Sequence, residues 1–402
     1  MIPRDARCGD DELIGMEPAA AIIRTAQGWA HDNLVPLNVS LEITLACNIR
    51  CVHCYNFDRN EPLRRAGGAE VSGSKTGCAP TVEKPELTTD AILRLIGEVR
   101  EAGCLFLSLT GGEVLSHPDL FLFLERARDL NLAVQLLTNG TLLRPGIAKR
   151  LASYTNLMGV SVSLYGATPE VHDSITQVKG SFARTWAGVE RLRAAGVTVR
   201  LKFIVMRQNA HETQAMMDGA TARDFPYLVD MTVTARHDGT SGSLDAQIDR
   251  GQLETLCRGP LRALLPAGRR SPSPSPAKDF NCNCARGNCA ISARGEVYPC
   301  ISVPWSAGNV GDRPFRDIWR DSPVFNRIRG LTLDDFSKCA PCPHRGYCSH
   351  DRGAAFNTTG DYTGADPFVC ATAEIAHALA DEAEIPSDRA ERESVVAHLR
   401  SA

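Results

Sequence analysis

The sequence predicts an α/β protein: a partial (β/α)6 barrel of TIM type, followed by a small cysteine-rich α+β domain. Three observations carry that prediction. Six stretches of strand character alternate with helical periods between residues 37 and about 260, the pattern of a parallel sheet covered by crossover helices. A Pro/Ser-rich run, Gly268-Arg-Arg-Ser-Pro-Ser-Pro-Ser-Pro-Ala277, then interrupts the chain with residues that build no core. Of fifteen cysteines, three lie at 47–54 and eight between 282 and 370, one group on each side of that break.

Residues 1–36 form an N-terminal extension in which Pro18 to His31 predicts one short helix, anchored by Trp29. The barrel spans 37–262. Its first strand, 37–45, alternates cleanly: Leu37, Val39, Leu41, Ile43 and Leu45 take one face, and Asn38, Ser40, Glu42 and Thr44 take the other. Further strands are expected at 105–109, 133–137, 158–164, 198–206 and 229–234. Thr89 to Ala102 puts Ile92, Leu93, Ile96 and Val99 on one helical face, with Thr88 or Thr89 as N-cap and Gly103 beyond the end. Ser181 to Ala195 stops the same way at Gly196. Residues 56–87 read as a long polar loop near the barrel mouth. The linker, 263–280, leads to the cysteine-rich domain, 281–372, where Ala290 to Pro299 reads as a hairpin turning at Arg294-Gly295. Two polar helices, over 371–385 and 387–400 and broken at Pro386, would make up the tail, 373–402.

Composition narrows the function classes. The chain has 402 residues, 43% hydrophobic and 23% charged, enough for two or three domains with a sizeable core. A net charge of −3 gives no electrostatic case for nucleic acid or an anionic membrane. No apolar run reaches the roughly 18 residues of a membrane span. Residues 1–30 carry Asp5, Asp10, Asp11 and Glu12 and lack a signal-peptide core, so a cytoplasmic location is expected. In a reducing compartment, clustered cysteines are metal ligands or catalytic groups rather than disulfides.

The first cluster is Cys47-Asn-Ile-Arg-Cys51-Val-His-Cys54-Tyr55, three thiols on a tight loop at the carboxyl end of a strand, where active sites of such folds gather. A structural zinc wants four protein ligands, and a cubane iron–sulfur cluster normally takes four thiolates. Three would leave one iron of a [4Fe–4S] cluster open to a small molecule. A zinc knuckle or three chance thiols is the plainer reading of the same residues. One βα unit later comes Thr110-Gly111-Gly112-Glu113. Glycines at a strand end let the backbone approach a ligand, and the carboxylate can accept hydrogen bonds from an ammonium. Alone, the tripeptide reads equally as a turn with an exposed glutamate.

The cysteine spacing, with Gly-Gly-Glu in register behind it, resembles the radical S-adenosylmethionine (radical SAM) enzymes. The resemblance implies that Cys47, Cys51 and Cys54 hold a catalytic [4Fe–4S] cluster whose open iron is chelated by the amine and carboxylate of SAM. It assigns Gly111, Gly112 and Glu113 to the methionine amine. It implies further SAM contacts from Tyr55, from Asn139 in Thr138-Asn139-Gly140, from Ser161 or Ser163 toward the ribose, from the backbone of Lys202 to Asn209 toward the adenine, and from Arg236 toward the carboxylate. Ser163 has the simpler reading of a satisfied strand end, and Arg236 that of a surface cation.

Downstream, Cys282-Asn-Cys284-Ala-Arg-Gly-Asn-Cys289 and Gly295-x4-Cys300 precede Cys339-x2-Cys342-x5-Cys348 and Cys370. Over about 280–372 this resembles the SPASM extension of radical SAM enzymes, which carries two auxiliary iron–sulfur clusters. Cys339, Cys342, Cys348 and Cys370 would then hold the outer cluster, and Cys282, Cys289 and Cys300 the inner one. The family's next cysteine beyond Cys348 is missing, and His350, Asp351 and Arg352 stand in that region. The inner cluster therefore has an open iron or takes Cys284, Asp351 or His350. Two zinc sites are the plainer alternative. Cys8, Cys78, Cys104 and Cys257 have no place in the scheme, and Cys104 reads as a small core residue.

The resemblance implies an oxidoreductase that cleaves SAM reductively and abstracts hydrogen from a ribosomally made peptide, giving a thioether or carbon–carbon cross-link, an oxidation or an epimerisation. Its partners would be the peptide, an electron donor such as flavodoxin or ferredoxin, and a separate leader-binding protein, since residues 1–36 are too few for a fused one. The rivals are a dehydrogenase of an aminocyclitol or sugar, a maturase of a protein or tetrapyrrole, and a non-enzymatic zinc-binding interaction module.

Overall fold

A computed structural model describes residues 18–57, 84–265 and 282–382. Most of the 56–87 loop, the Pro/Ser linker, Cys8, Cys78, Pro386 and the 387–400 helix lie outside these residues.

Six parallel strands form the body: β1 (Asn38–Glu42), β2 (Phe106–Thr110), β3 (Ala133–Thr138), β4 (Leu157–Leu164), β5 (Val199–Ile204) and β6 (Tyr227–Asp230). They lie in the order β6-β5-β4-β3-β2-β1, each hydrogen-bonded to its sequence neighbour, and the sheet stays open. The helices, in chain order, are α1 (Pro18–Asp32), α2 (Thr89–Glu101), α3 (Leu120–Asp129), α4 (Pro145–Leu151), α5 (Pro169–Thr176), α6 (Ser181–Ala194), α7 (Thr213–Thr221) and α8 (Arg250–Arg258). Beyond the linker come α9 (Phe315–Asp321), α10 (Pro323–Gly330), α11 (Arg352–Thr359) and α12 (Pro367–Glu382). Val39, Leu41, Leu107, Leu109, Val134 and Leu136 meet Ile92, Ile96, Phe123 and Leu124 in one buried core. Removing such side chains from water is the main driving force for closing helices onto the sheet.

The local rules hold at α2. Thr88 is the N-cap, accepting from the Ala91 N–H, and Gly103 follows the helix at φ +108. Trp29 does not anchor α1: it is 58% exposed, whereas its neighbour Ala30 is buried. The fifth and sixth strands are shorter than the apolar pattern suggests. After Ile204, Asn209 takes over, accepting from the Met206 N–H and donating to the Tyr165 and Ile204 carbonyls.

The sheet does not stop at the linker. The expected hairpin forms from β7 (Asn288–Ile291) and β8 (Glu296–Tyr298), with Gly295 at φ +84. β7 also pairs in parallel with β1, and β9 (Gly308–Asn309) pairs with β8, so nine strands make one sheet. Asn38 donates to Asn288 across the seam at 3.1 Å. Trp319 on α9 donates to the Leu34 carbonyl, and the Phe315 N–H to Glu98 on α2, so the cysteine-rich part is built onto the barrel. Among the described residues, no helix is long and apolar enough to cross a membrane.

Candidate active site

The loop carrying Cys47, Cys51 and Cys54 leaves the carboxyl end of β1 and is held from three sides. From β2, the Gly112 N–H donates to the Thr44 carbonyl at 2.7 Å and the Glu113 N–H to the Ala46 carbonyl at 2.8 Å. Only glycines permit this approach: a Cβ on Gly111 would lie 2.3 Å from the Thr44 oxygen, and one on Gly112 2.2 Å from the Ala46 oxygen. From α5, the Thr176 and Ile175 carbonyls accept the Arg50 and Val52 N–H groups at 2.9 and 3.1 Å. From the segment before α2, Glu86 accepts from the Thr44 hydroxyl and the Leu45 N–H at 3.0 and 3.1 Å. The sequence reading gave the glycine pair to a ligand; here the backbone they admit is the chain's own 44–46. Glu86 went unnoticed because it borders a polar loop with no periodicity.

Glu113 is buried, not exposed as a simple turn would leave it. Its carboxylate accepts from the Thr138 hydroxyl at 2.5 Å and from the Asn139 and Leu115 N–H groups at 2.7 and 3.1 Å. Burial raises its pKa, and these donors counteract the shift. Glu113 thus ties the end of β2 to the end of β3. From β3, the Asn139 amide reaches Asn48 at 3.0 Å and the Cys47 sulfur at 3.9 Å. The Gly-Gly-Glu and Thr-Asn-Gly segments and the cysteine loop therefore form one connected lattice.

Tyr165, just past β4, closes the other side. Burial first, then the nearby Cys51, Cys47 and Cys54 thiols, holds its phenol well above the usual range. All three thiols therefore lie within electrostatic reach of one ring. Ser163 shares a hydrogen bond with Tyr165, and Ser161 accepts from Gln135. Tyr55 donates to Glu42 at 2.7 Å and packs edge-on against His237. Arg236 is no surface cation: it is buried, with Nη1 donating to the Thr240 hydroxyl at 3.3 Å.

The downstream thiols fall into two groups. Cys339, Cys342 and Cys348 all act on Cys370, whose pKa is raised by desolvation first and then by these neighbours. Cys282 and Cys284 stand 2.9 Å apart, sulfur to sulfur, and Cys284 also hydrogen-bonds Cys300. The Cys284 hydrogen bond, aided by Tyr362 and the Arg352 cation, brings Cys282 down to about 7. Cys289 is placed differently: on β7, opposite Val39, it is buried within the electrostatic reach of Cys104 and Arg329. Strand alternation explains this, since β7 must give one face to the shared core. Asp351 caps α11 by accepting from the Ala354 N–H, and His350 Nε2 lies 3.1 Å from the Arg345 carbonyl. Cys104 and Cys257 are core thiols, pushed by burial to about 12 and about 11.

Among the described residues, no three His, Cys, Asp or Glu side chains are arranged to hold a single metal ion. The donor sets suit iron–sulfur clusters, in which each thiolate takes its own iron. The comparisons agree. The family model for the radical SAM superfamily matches residues 41–218, and that for the SPASM iron–sulfur cluster-binding domain matches 282–344. The AdoMet-dependent heme synthase of Methanosarcina barkeri is 31% identical over 359 residues, covering 83% of this chain and 96% of its own length. The mycofactocin maturase MftC of Mycobacterium tuberculosis is 29% identical, covering 89% of this chain and 88% of its own. The crystal structure of Streptococcus suis SuiB bound to S-adenosylmethionine shares the fold at a TM-score of 0.61 and 16% identity, over 88% of this chain and 81% of SuiB. The chain belongs to the radical SAM superfamily, with a SPASM domain, and its cofactors are a [4Fe–4S] cluster, S-adenosylmethionine and auxiliary iron–sulfur clusters.

Proposed function

We propose that this enzyme modifies a ribosomally made peptide by hydrogen abstraction, forming a cross-link, an oxidation product or an epimer. The observation that carries the reading is the lattice that holds, among the described residues, three thiols beside Tyr165 at the carboxyl ends of the parallel strands. Cys47, Cys51 and Cys54 would hold the catalytic cluster, and Cys339, Cys342, Cys348 and Cys370 the outer auxiliary one. When bound, the cluster and S-adenosylmethionine supply a 5′-deoxyadenosyl radical by one-electron reduction of the sulfonium. The chain's own residues position and shield. Gly111 and Gly112 fix where the cysteine loop sits, the buried Glu113 carboxylate would accept from the methionine amine, and Asn139, Ser163 and Arg236 would make further contacts to S-adenosylmethionine. Tyr55 and Tyr165 exclude water from the mouth. The electron donor is assigned to a flavodoxin or ferredoxin, leader recognition to a separate protein, and the location to the cytoplasm.

Relatives named a mycofactocin maturase and an antilisterial bacteriocin subtilosin biosynthesis protein support the peptide assignment. The 31% identity to a protein named a heme synthase favours a tetrapyrrole as the second reading. Anaerobically purified protein is expected to carry up to ~12 irons and as many sulfides per chain, four of each per cluster, and to release deoxyadenosine on reduction with SAM. Cys51→Ala is expected to abolish that release. Stoichiometric zinc without visible absorption would overturn the reading. Mass shifts in peptides encoded beside the gene, against decarboxylation or oxidation of added iron porphyrins, separate the two substrates.

A further inference from the structure

We infer that the inner auxiliary cluster is held by Cys282, Cys284 and Cys300, with Arg352 and Tyr362 on its remaining side, and that Cys289 is not a ligand. The inference rests on the iron–sulfur reading proposed above and names the residues of that site.

The backbone brings these three thiols together. Cys284 sits at the mouth of a tight turn, with Ala285 at φ +58, and the Ala285 N–H donates both to the Asn288 carbonyl and to the Pro299 carbonyl next to Cys300. From α10, Arg329 donates to the Ala285 carbonyl at 2.8 Å and pins the turn from behind. Cys282 and Cys284 line a cleft with Arg352, Tyr362, Phe336 and Leu331. Cys289 is directed by its strand into the core shared with β1, away from that cleft.

Among the described residues, no further thiol completes the set. The remaining downstream cysteines, Cys339, Cys342, Cys348 and Cys370, form the outer group. Asp351 caps α11 through the Ala354 N–H, and His350 turns its Nε2 to the Arg345 carbonyl. Arg352 and Tyr362 occupy the side that lacks a thiolate. Tyr362 donates to the Cys282 sulfur at 3.5 Å. Arg352 is 3% exposed, donates to the His350, Tyr362 and Gly364 carbonyls, and its charge reaches both Cys282 and Cys348. It is therefore a fixed cation between the two downstream groups. A guanidinium offers N–H donors and no lone pair, so beside a cluster it serves as a charge and hydrogen-bond partner. Arg352 is a positioning residue, and its presence makes a reduced cluster easier to form.

The test compares iron content and electron paramagnetic resonance in the full chain, purified anaerobically. Cys284→Ala and Cys284→Ser are expected to drop iron from ~12 to ~8 per chain, the content of one cubane, while deoxyadenosine release persists. Cys289→Ala and Cys289→Val are expected to keep all the iron. The reverse pattern, or full iron in both pairs, overturns the assignment and leaves the radical SAM reading standing. Wild-type protein without iron sinks both. Arg352→Gln is expected to keep the iron but to lower the potential at which the inner signal appears, with Arg352→Lys restoring it. An unchanged potential in Arg352→Gln overturns the role given to the guanidinium.

Discussion

Two neighbouring regions of the nine-stranded sheet hold cysteines by different means. At the carboxyl ends of β1–β3, the loop is fixed by the Gly112 and Glu113 N–H contacts that only glycine admits, by α5 carbonyls, and by the carboxylates of the buried Glu113 and the exposed Glu86. At the β7–β8 hairpin, the thiols rest on one turn and on long side chains, Arg329 behind and Arg352 and Tyr362 in front. The contrast teaches where precision comes from. Groups carried on paired strands are placed by many short bonds that fail together, whereas groups placed by side chains can be adjusted one bond at a time.

The largest break in that contrast is predicted for Gly112→Ala. Its Cβ would meet the Ala46 and Leu45 carbonyl oxygens at 2.2 and 2.5 Å, and backbone cannot swing aside as a side-chain tip can. A cost above about 3 kcal/mol is expected, beyond ordinary overpacking, with loss of the first cluster while downstream iron is retained. Thermal unfolding and iron counts check it, and a fully loaded variant would refute the lattice argument. Next comes Glu113→Gln. The amide keeps the shape but turns an NH2 toward donors that now find a carboxylate, which costs about 1–3 kcal/mol. Deoxyadenosine release should fall with a raised KM for SAM; an unchanged KM would remove Glu113 from the SAM site.

Much of this was legible in the sequence because it rests on local rules. Period-two alternation marks β1, the Thr88 cap and Gly103 bracket α2, and the cysteine spacing with Gly-Gly-Glu marks the first site. What stayed hidden is non-local. Nothing near Cys284 or Cys289 says which one shares a face with Cys300, because that depends on β7 pairing with β1 from about 250 residues away. Nor does the polar segment around Glu86 advertise a carboxylate aimed at Thr44. Trp29 misled for the opposite reason: a large apolar residue suggests an anchor, yet single exposed aromatics are ordinary on protein surfaces.

The third prediction probes the support of the first loop through pH. His172, on the helix that holds the Arg50 and Val52 N–H groups, is 1% exposed, and its Nδ1 accepts from the Tyr165 N–H at 3.1 Å. Burial lowers its imidazole from 6.5 to about 4. Between those values the unfolded chain binds a proton that the folded chain refuses, so stability falls as pH drops through that window. One such group contributes roughly 3 kcal/mol across it. His172→Asn keeps an acceptor for the Tyr165 N–H and removes the titration. Urea unfolding at pH 7, 5.5 and 4.5 should therefore show a flatter profile for the variant than for wild type. Parallel profiles would show that α5 is not acid-sensitive through this residue.

The smallest effect is predicted at the side-chain-built β7–β8 hairpin. Cys282 is held near 7 first by Cys284, and then by Tyr362 and Arg352. Tyr362→Phe removes only the hydroxyl donor, and one hydrogen bond of ~0.5–1.5 kcal/mol corresponds to roughly a 2–10-fold change in an equilibrium. The Cys282 thiol should become less acid, so at pH 7 fewer molecules present a thiolate and iron uptake into the inner site slows by that factor. Raising the pH to about 8 should restore the rate, because the thiolate is the species that binds metal. The ring stays, so packing around Phe336 and Leu331 is kept, and final iron content should match wild type. Should Tyr362→Phe instead lose the cluster outright, the inner site would be as cooperative as the first loop, and the difference between the two regions would vanish.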